Sequence, residues 1–312
     1  MKNKWMGLLL GIIGVLSILL FFLVKQKENN KEETDISTDV TMTTTMTTTA
    51  IEESLTTTTE SSSDAVELVS EPLELDTSKL QAHAVDLYYE VYFLDSKRHV
   101  SSQNSVATPA ASVIKLFIMD YIYHLVAQGS ITMEASIEGE SLDALTKRMI
   151  QLSDNQATNV LINYFSMDTL NAYFQKSGYS DTQLQRLMLD ETARSQGLEN
   201  YTSLDDCVSY LKKLYEHKDQ LVNQAMLTIL KGQTIQTKIP SQLPETIEVA
   251  NKTGELDTVE NDVGIVFAKE PFVIVVLSNG VKVPQQMREA IGEFASAAFN
   301  AANETSEIGG KE

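Results

Sequence analysis

Strand-like alternation appears in two blocks far apart in this chain, with helical periodicity between them, and that arrangement constrains the fold more than any other feature. In the first block, Val85 to Leu94, the residues Leu87, Tyr89, Val91 and Phe93 alternate with Tyr88, Glu90 and Tyr92, the period of a half-buried strand. A turn at Asp95–Arg98 leads to a weaker strand, His99 to Asn104. The second block follows Pro244, with Thr246 to Asn251, Asp262 to Ala268 and Phe272 to Ser278 reading as strands. Between the blocks, apolar residues recur at helical spacing over Leu142–Leu152, Gln156–Phe165, Met167–Lys176, Ser203–Glu216 and Asp219–Lys231. A short helix at Ser78–His83 and a long one at Val283–Ala302 flank the whole. The expected class is α+β, with one antiparallel sheet built from both ends and helices between.

The residues before this region are different material. Trp5 to Val24 is apolar except for Ser17, and twenty residues at ~1.5 Å each span the ~30 Å of a bilayer core. No small-residue cleavage site comes after the run, which favours a retained single-pass anchor after a four-residue flank. Lys2 and Lys4 before it nearly balance Lys25, Lys27 and Lys31 after it, so charge alone does not orient the span. From Glu28 to Asp76 there are 13 acidic residues against Lys31 alone, with long threonine runs. Such a stretch has too little apolar area to offset chain entropy, so residues 25–76 are expected to form a disordered stalk and 304–312 a disordered tail, leaving 77–303 as the folded domain. The net charge of −19, without basic runs interleaved with aromatics, argues against nucleic acid as a partner. Four histidines and Cys207 show no metal-ligand spacing, and no cofactor or metal is implied.

The chemistry begins at Ala110-Ala111-Ser112-Val113-Ile114-Lys115, after Pro109 and at the start of a helix. An i, i+3 spacing places a hydroxyl and an amine one helical turn apart. A serine needs an adjacent base to act as a nucleophile, and burial lowers a lysine's pKa, making the neutral amine accessible. The spacing alone is weak: Ser209-Tyr210-Leu211-Lys212 repeats it on a polar helix face. Two downstream triplets make the first copy specific. Ser153-Asp154-Asn155 comes next in the chain, then Lys252-Thr253-Gly254, the ordered motif set of class A β-lactamases and penicillin-binding proteins.

On these motifs the chain from about Ser78 to Asn303 resembles the class A β-lactamase-like serine hydrolases. The resemblance implies a five-stranded antiparallel sheet flanked by terminal helices, an inserted all-α lobe, and an active site between them. It implies Ser112 as nucleophile, Lys115 as base or base-assisting group, and Ser153 as proton relay to the leaving nitrogen. The backbone N–H groups of Ser112 and Glu255 would form the oxyanion hole. Asn155 would hold the substrate amide and Lys115, Lys252 and Thr253 would bind the substrate carboxylate, and Gly254 would let substrate approach the backbone. Asp154 reads as structural. The substrate class implied is a β-lactam or a cell-wall peptide, the domain monomeric and facing outward from the membrane.

One family feature is missing. Where the resemblance calls for a glutamate that positions the deacylating water, Met188 stands in Thr182–Glu191, although Arg186 fits the loop's arginine. A thioether cannot take a proton from water; Asp190 and Glu191 are the nearest carboxylates. The expected function is therefore a membrane-anchored serine hydrolase that acylates at Ser112 and deacylates slowly, since general-base assistance is worth ~10²–10⁴-fold. The alternatives are a D,D-peptidase or transpeptidase on wall peptides, and a silent wall-binding module.

Overall fold

The computed structural model describes residues 73–304. The apolar run at 5–24, nearly all of the acidic stretch and the last eight residues lie outside them, and among the described residues no helix is long and apolar enough to cross a membrane.

Five strands form one antiparallel sheet: β1 (Asp86–Phe93), β2 (His99–Ser101), β7 (Val249–Leu256), β8 (Val259–Val266) and β9 (Phe272–Asn279), in the order β2-β1-β9-β8-β7. The two sequence-distant blocks meet where β1 pairs with β9 along its full length, Asp86 opposite Asn279 through Phe93 opposite Phe272. Sheet and period agree here with the sequence reading. The central strands β8 and β9 are buried almost throughout, because both faces are covered. Val273, Val275 and Leu277 pack toward the helical lobe, while Phe272, Ile274 and Val276 pack toward the terminal helices, the alternation a pleated strand imposes.

The terminal layer is α1 (Ser78–His83) and α9 (Pro284–Asn303). Proline suits the first turn of α9, where its missing N–H costs nothing. The apolar stripe Met287, Ile291, Phe294 and Ala298 is buried. Leu73, ahead of the boundary expected at residue 77, is buried in the same cluster.

The inserted lobe holds α2 (Lys115–Ala127), α3 (Leu142–Gln151), α4 (Asn155–Phe165), α5 (Met167–Lys176), α6 (Glu191–Ser195), α7 (Leu204–Glu216) and α8 (Leu221–Lys231). Two-residue strands β3 (Thr108–Pro109) and β6 (Tyr201–Thr202) pair with each other, as do β4 (Ser136–Ile137) and β5 (Glu140–Ser141). Helix α2 runs through the lobe's centre; Leu116, Phe117, Ile118, Met119 and Ile122 are all fully buried, as expected of a helix apolar all round. Ser203 caps α7 as its sequence suggests, its Oγ accepting from the Asp206 N–H. The reciprocal half of that box does not form. The Asp206 carboxylate instead accepts from the Asp181 N–H and Thr182 Oγ1.

Two boundaries differ from the sequence reading in ways that shape the site. Ser112 lies in a 3-10 turn, Ala111–Ile114, which passes into α2 only at Lys115. Strand β7 does not stop at Asn251 but runs through Lys252, Thr253 and Gly254 to Leu256.

Candidate active site

Three chain segments converge at the edge of β7. The first is the 3-10 turn bearing Ser112. Its entry is held down by Asn261 of β8, whose Nδ2 donates to the carbonyls of Pro109 (2.9 Å) and Ala110 (3.3 Å) while its Oδ1 accepts from the Ser278 N–H. Ala111, just before Ser112, has φ +48°. A non-glycine residue in this region is uncommon, and such strain is concentrated at functional sites.

The second segment is the link between α3 and α4. Ser153 sits at φ +53°, followed by Asp154, whose Oδ1 caps α4 by accepting from the Gln156 and Ala157 N–H groups. Arg148 grips the same carboxylate through Oδ2. Burial alone would raise the Asp154 pKa, but the Ala157 N–H and the Arg148 guanidinium outweigh it and the net shift is downward. Asp154 thus shapes the turn, in keeping with its sequence position.

The third segment is β7, lying directly against the first. A Cβ on Gly254 would stand 2.9 Å from the Ala110 carbonyl oxygen and 3.0 Å from the Ser112 nitrogen. The sequence reading assigns this glycine to substrate access; the requirement visible in the fold is the close packing of the strand on the nucleophile's own turn.

Two lysines, neither with a carboxylate within ion-pairing distance among the described residues, meet at one hydroxyl. Lys115 Nζ donates to the Ser153 carbonyl (2.8 Å), to Asn155 Oδ1 (2.8 Å) and to Ser153 Oγ (3.3 Å). Lys252 Nζ donates to the same Ser153 Oγ (2.9 Å) and to the Thr253 carbonyl (2.7 Å). Both lysines are fully buried. Burial brings the Lys115 pKa down to about 7, opposed only in part by Asp154. Lys252 is pushed well below its usual value, by burial first and by the nearby Lys115 second. Two buried ammonium groups sharing one acceptor, with no carboxylate partner, are costly to hold charged together, which favours a neutral amine. Lys115 makes no hydrogen bond to Ser112 in this state; the two share the turn, three residues apart.

A fourth group joins at the far side of Thr253, and no motif marked it. Lys238, fully buried, donates to Thr253 Oγ1 (2.5 Å) and Glu255 Oε1 (2.9 Å), and lies 2.9 Å from Glu260 Oε2. Arg288 of α9 bonds both carboxylates from the other side. Burial would raise the Glu255 pKa, but Lys238 and then Arg288 outweigh it and lower it. Of the two carboxylates Glu255 is the accessible one, with its side chain 39% exposed against 2% for Glu260.

The loop from Thr182 to Asn200 packs beside α4. Arg186 and Glu199 form a buried ion pair at 2.6 Å, and Asn200 Oδ1 accepts from the Gln185 and Arg186 N–H groups. Asn159 of α4, another residue no motif marked, fixes the Met188 backbone on both sides. It accepts from the Met188 N–H at 2.8 Å and donates to the Met188 carbonyl at 3.0 Å. The residue so clamped is a methionine, where the resemblance calls for a glutamate. The nearby carboxylates are engaged elsewhere. Asp190 caps α6 through the Ala193 N–H, and Glu191 is 74% exposed and pairs with Arg194. The second Ser-x-x-Lys copy is structural, with Lys212 Nζ lying 3.7 Å over the ring of Tyr92.

The family model "Beta-lactamase enzyme family" matches residues 74–302. The chain belongs to that family. Solved structures carry the same fold. A β-lactamase from Chitinophaga pinensis superposes with a TM-score of 0.67 at 19% identity, covering 72% of this chain and 97% of its own. A β-lactamase from Sphaerobacter thermophilus gives 0.62 at 25% identity, covering 73% and 98%. The penicillin-binding protein PBP-A gives 0.61 at 21%, covering 72% and 93%. A search of curated protein sequences finds no match. The five-stranded sheet, terminal helices and inserted lobe of this β-lactamase-family domain are those its motifs implied.

Proposed function

We propose that this chain is a membrane-anchored serine hydrolase that is acylated at Ser112 by a β-lactam or a related amide and releases the acyl group slowly. The observation that carries the reading is the single hydroxyl, Ser153 Oγ, held between Lys115 and Lys252 beside the turn that bears Ser112. In the forward step Ser112 Oγ attacks the carbonyl carbon and its proton passes to neutral Lys115. Negative charge on the carbonyl oxygen is met by the backbone N–H groups of Ser112 and Glu255, whose segments pack together through Gly254. The C–N bond then breaks, and Ser153 gives its proton to the leaving nitrogen while taking one from a neighbouring lysine. Asn155 holds Lys115 and the substrate amide, and Lys252 with Thr253 receives the substrate carboxylate.

Hydrolysis of the resulting ester needs a water activated by a base. With methionine at 188 and the adjacent carboxylates committed elsewhere, that assistance is weak, and the acyl-enzyme should persist. The same observation favours a second reading, a D,D-peptidase or transpeptidase of wall peptides, in which an amine acceptor takes the acyl group. The apolar run at 5–24 would anchor the domain, with the acidic stretch as its stalk on the outer face.

The test is covalent labelling of the full chain with fluorescent penicillin. The reading expects one label, absent in Ser112→Ala. Absence of label in the parent chain, or label retained in the variant, contradicts it.

A further inference from the structure

Away from the motif residues, helices α2, α5, α7 and α8 line an open cavity of about 320 Å³. A carboxylate lines it, Asp120 of α2. Tyr173 and Tyr179 both donate to Asp120 Oδ2, at 3.0 and 3.2 Å, and no lysine, arginine or histidine lies within ion-pairing distance among the described residues. Asp120 Oδ1 receives no protein donor, and the residue is only partly buried. Burial raises the Asp120 pKa, with the two tyrosine hydroxyls, Lys213 and His124 only partly opposing it.

The rings of Tyr123, Tyr173 and Tyr179 line the space with Leu214 and Met226, an electron-rich, apolar surface suited to an organic cation. A cation alone would meet repulsion at the mouth. There Lys213 Nζ lies 4.8 Å over the Tyr179 ring and donates to the Ser177 carbonyl, and it has no carboxylate partner among the described residues. His124 and His217 also line the cavity. The cavity therefore offers one negative group and one positive group with an aromatic ring between them.

We propose that this cavity binds a small zwitterion with an apolar body, a free amino acid, its ammonium on Asp120 Oδ1 and its carboxylate on Lys213. The site is separate from Ser112 and does not depend on the activity proposed above.

Saturation-transfer NMR of the full chain with D- and L-leucine and D- and L-phenylalanine tests it. Saturable binding is expected for at least one of them. N-acetylation or amidation of that amino acid should weaken it about tenfold or more, as should Asp120→Asn or Lys213→Gln, each removing one charge-assisted hydrogen bond. Circular dichroism melts of the variants confirm that they fold, and binding should survive Ser112→Ala. Absence of saturable binding by all four amino acids overturns the proposal. So does equal binding by folded Asp120→Asn and the parent chain.

Discussion

The corner around Ser112 and the loop around Met188 are built to the same standard and hold different chemistry. At the first, strained backbone at Ala111 and Ser153, two buried lysines and a shared hydroxyl produce an amine able to take a proton near neutral pH. At the second, the Arg186–Glu199 pair and the Asn159 clamp hold the backbone as firmly, yet the side chain presented has no basic atom. Scaffold and reactive group are thus separable. On the proposed reading, this fold keeps the support for the deacylation step and lacks the group that would perform it.

The largest effect that would break this comparison lies at Lys115. Lys115→Met should slow acylation by about 10²–10⁴-fold, the usual worth of a positioned base, read as the rate of penicillin labelling. Labelling at the parent rate would mean that Lys115 is not the base. The complementary change is Met188→Glu, which places a carboxylate on the existing clamp. Loss of the acyl group should accelerate, by up to about 10²–10⁴-fold if the new group reaches the water, with acylation little altered. No acceleration would show that more than the missing carboxylate separates this loop from an efficient hydrolase.

The pH profile sharpens the acylation half. Only neutral Lys115 accepts a proton, and its pKa lies at about 7. Acylation should therefore fall as pH drops through 7 and level off above it; a rate flat from about pH 5 to about pH 9, the range in which such a group would titrate, is the contrary result. The smallest effect concerns Glu255. Lys238 faces acceptors in Thr253, Glu255 and Glu260, so a substrate carboxylate arriving at Thr253 competes with Glu255 for it. Glu255→Gln keeps the backbone N–H and weakens that competition. The acylation efficiency of carboxylate-bearing β-lactams should rise several-fold relative to their esters, about the scale of one partly exposed charge interaction.

The convergence of the motif residues was legible because the motif set is defined by residue type and chain order. Ser112, Lys115, Ser153, Asn155, Lys252, Thr253 and Gly254 all lie in the converging segments. Lys238, Asn159 and Asn261 were not legible: each is an ordinary polar residue until the fold brings it to Thr253, Met188 or Pro109. The strand boundaries failed for a related reason. Lys252, Thr253, Glu260, Asn261 and Asp262 break any apolar period, yet all are buried. Their cost is met across β7 and β8 and from outside the two strands: Asn251 donates to Asp262, while Lys238 bonds Thr253 and Arg288 bonds Glu260. Buried polar networks erase the alternation from which strands are read. The joining of the two strand blocks was legible because Leu87, Tyr89, Val91 and Phe93 keep their alternation and the last strand is apolar from Phe272 to Leu277.

Intact-protein mass spectrometry of the full chain after mixing with penicillin, tracked over time, tests the separation of the two steps most directly. A single adduct of the antibiotic's mass on Ser112 should form and remain, and in Met188→Glu it should form and decay faster. An adduct that never appears, or that vanishes from the parent chain as fast as it forms while hydrolysed penicillin accumulates, would contradict the account.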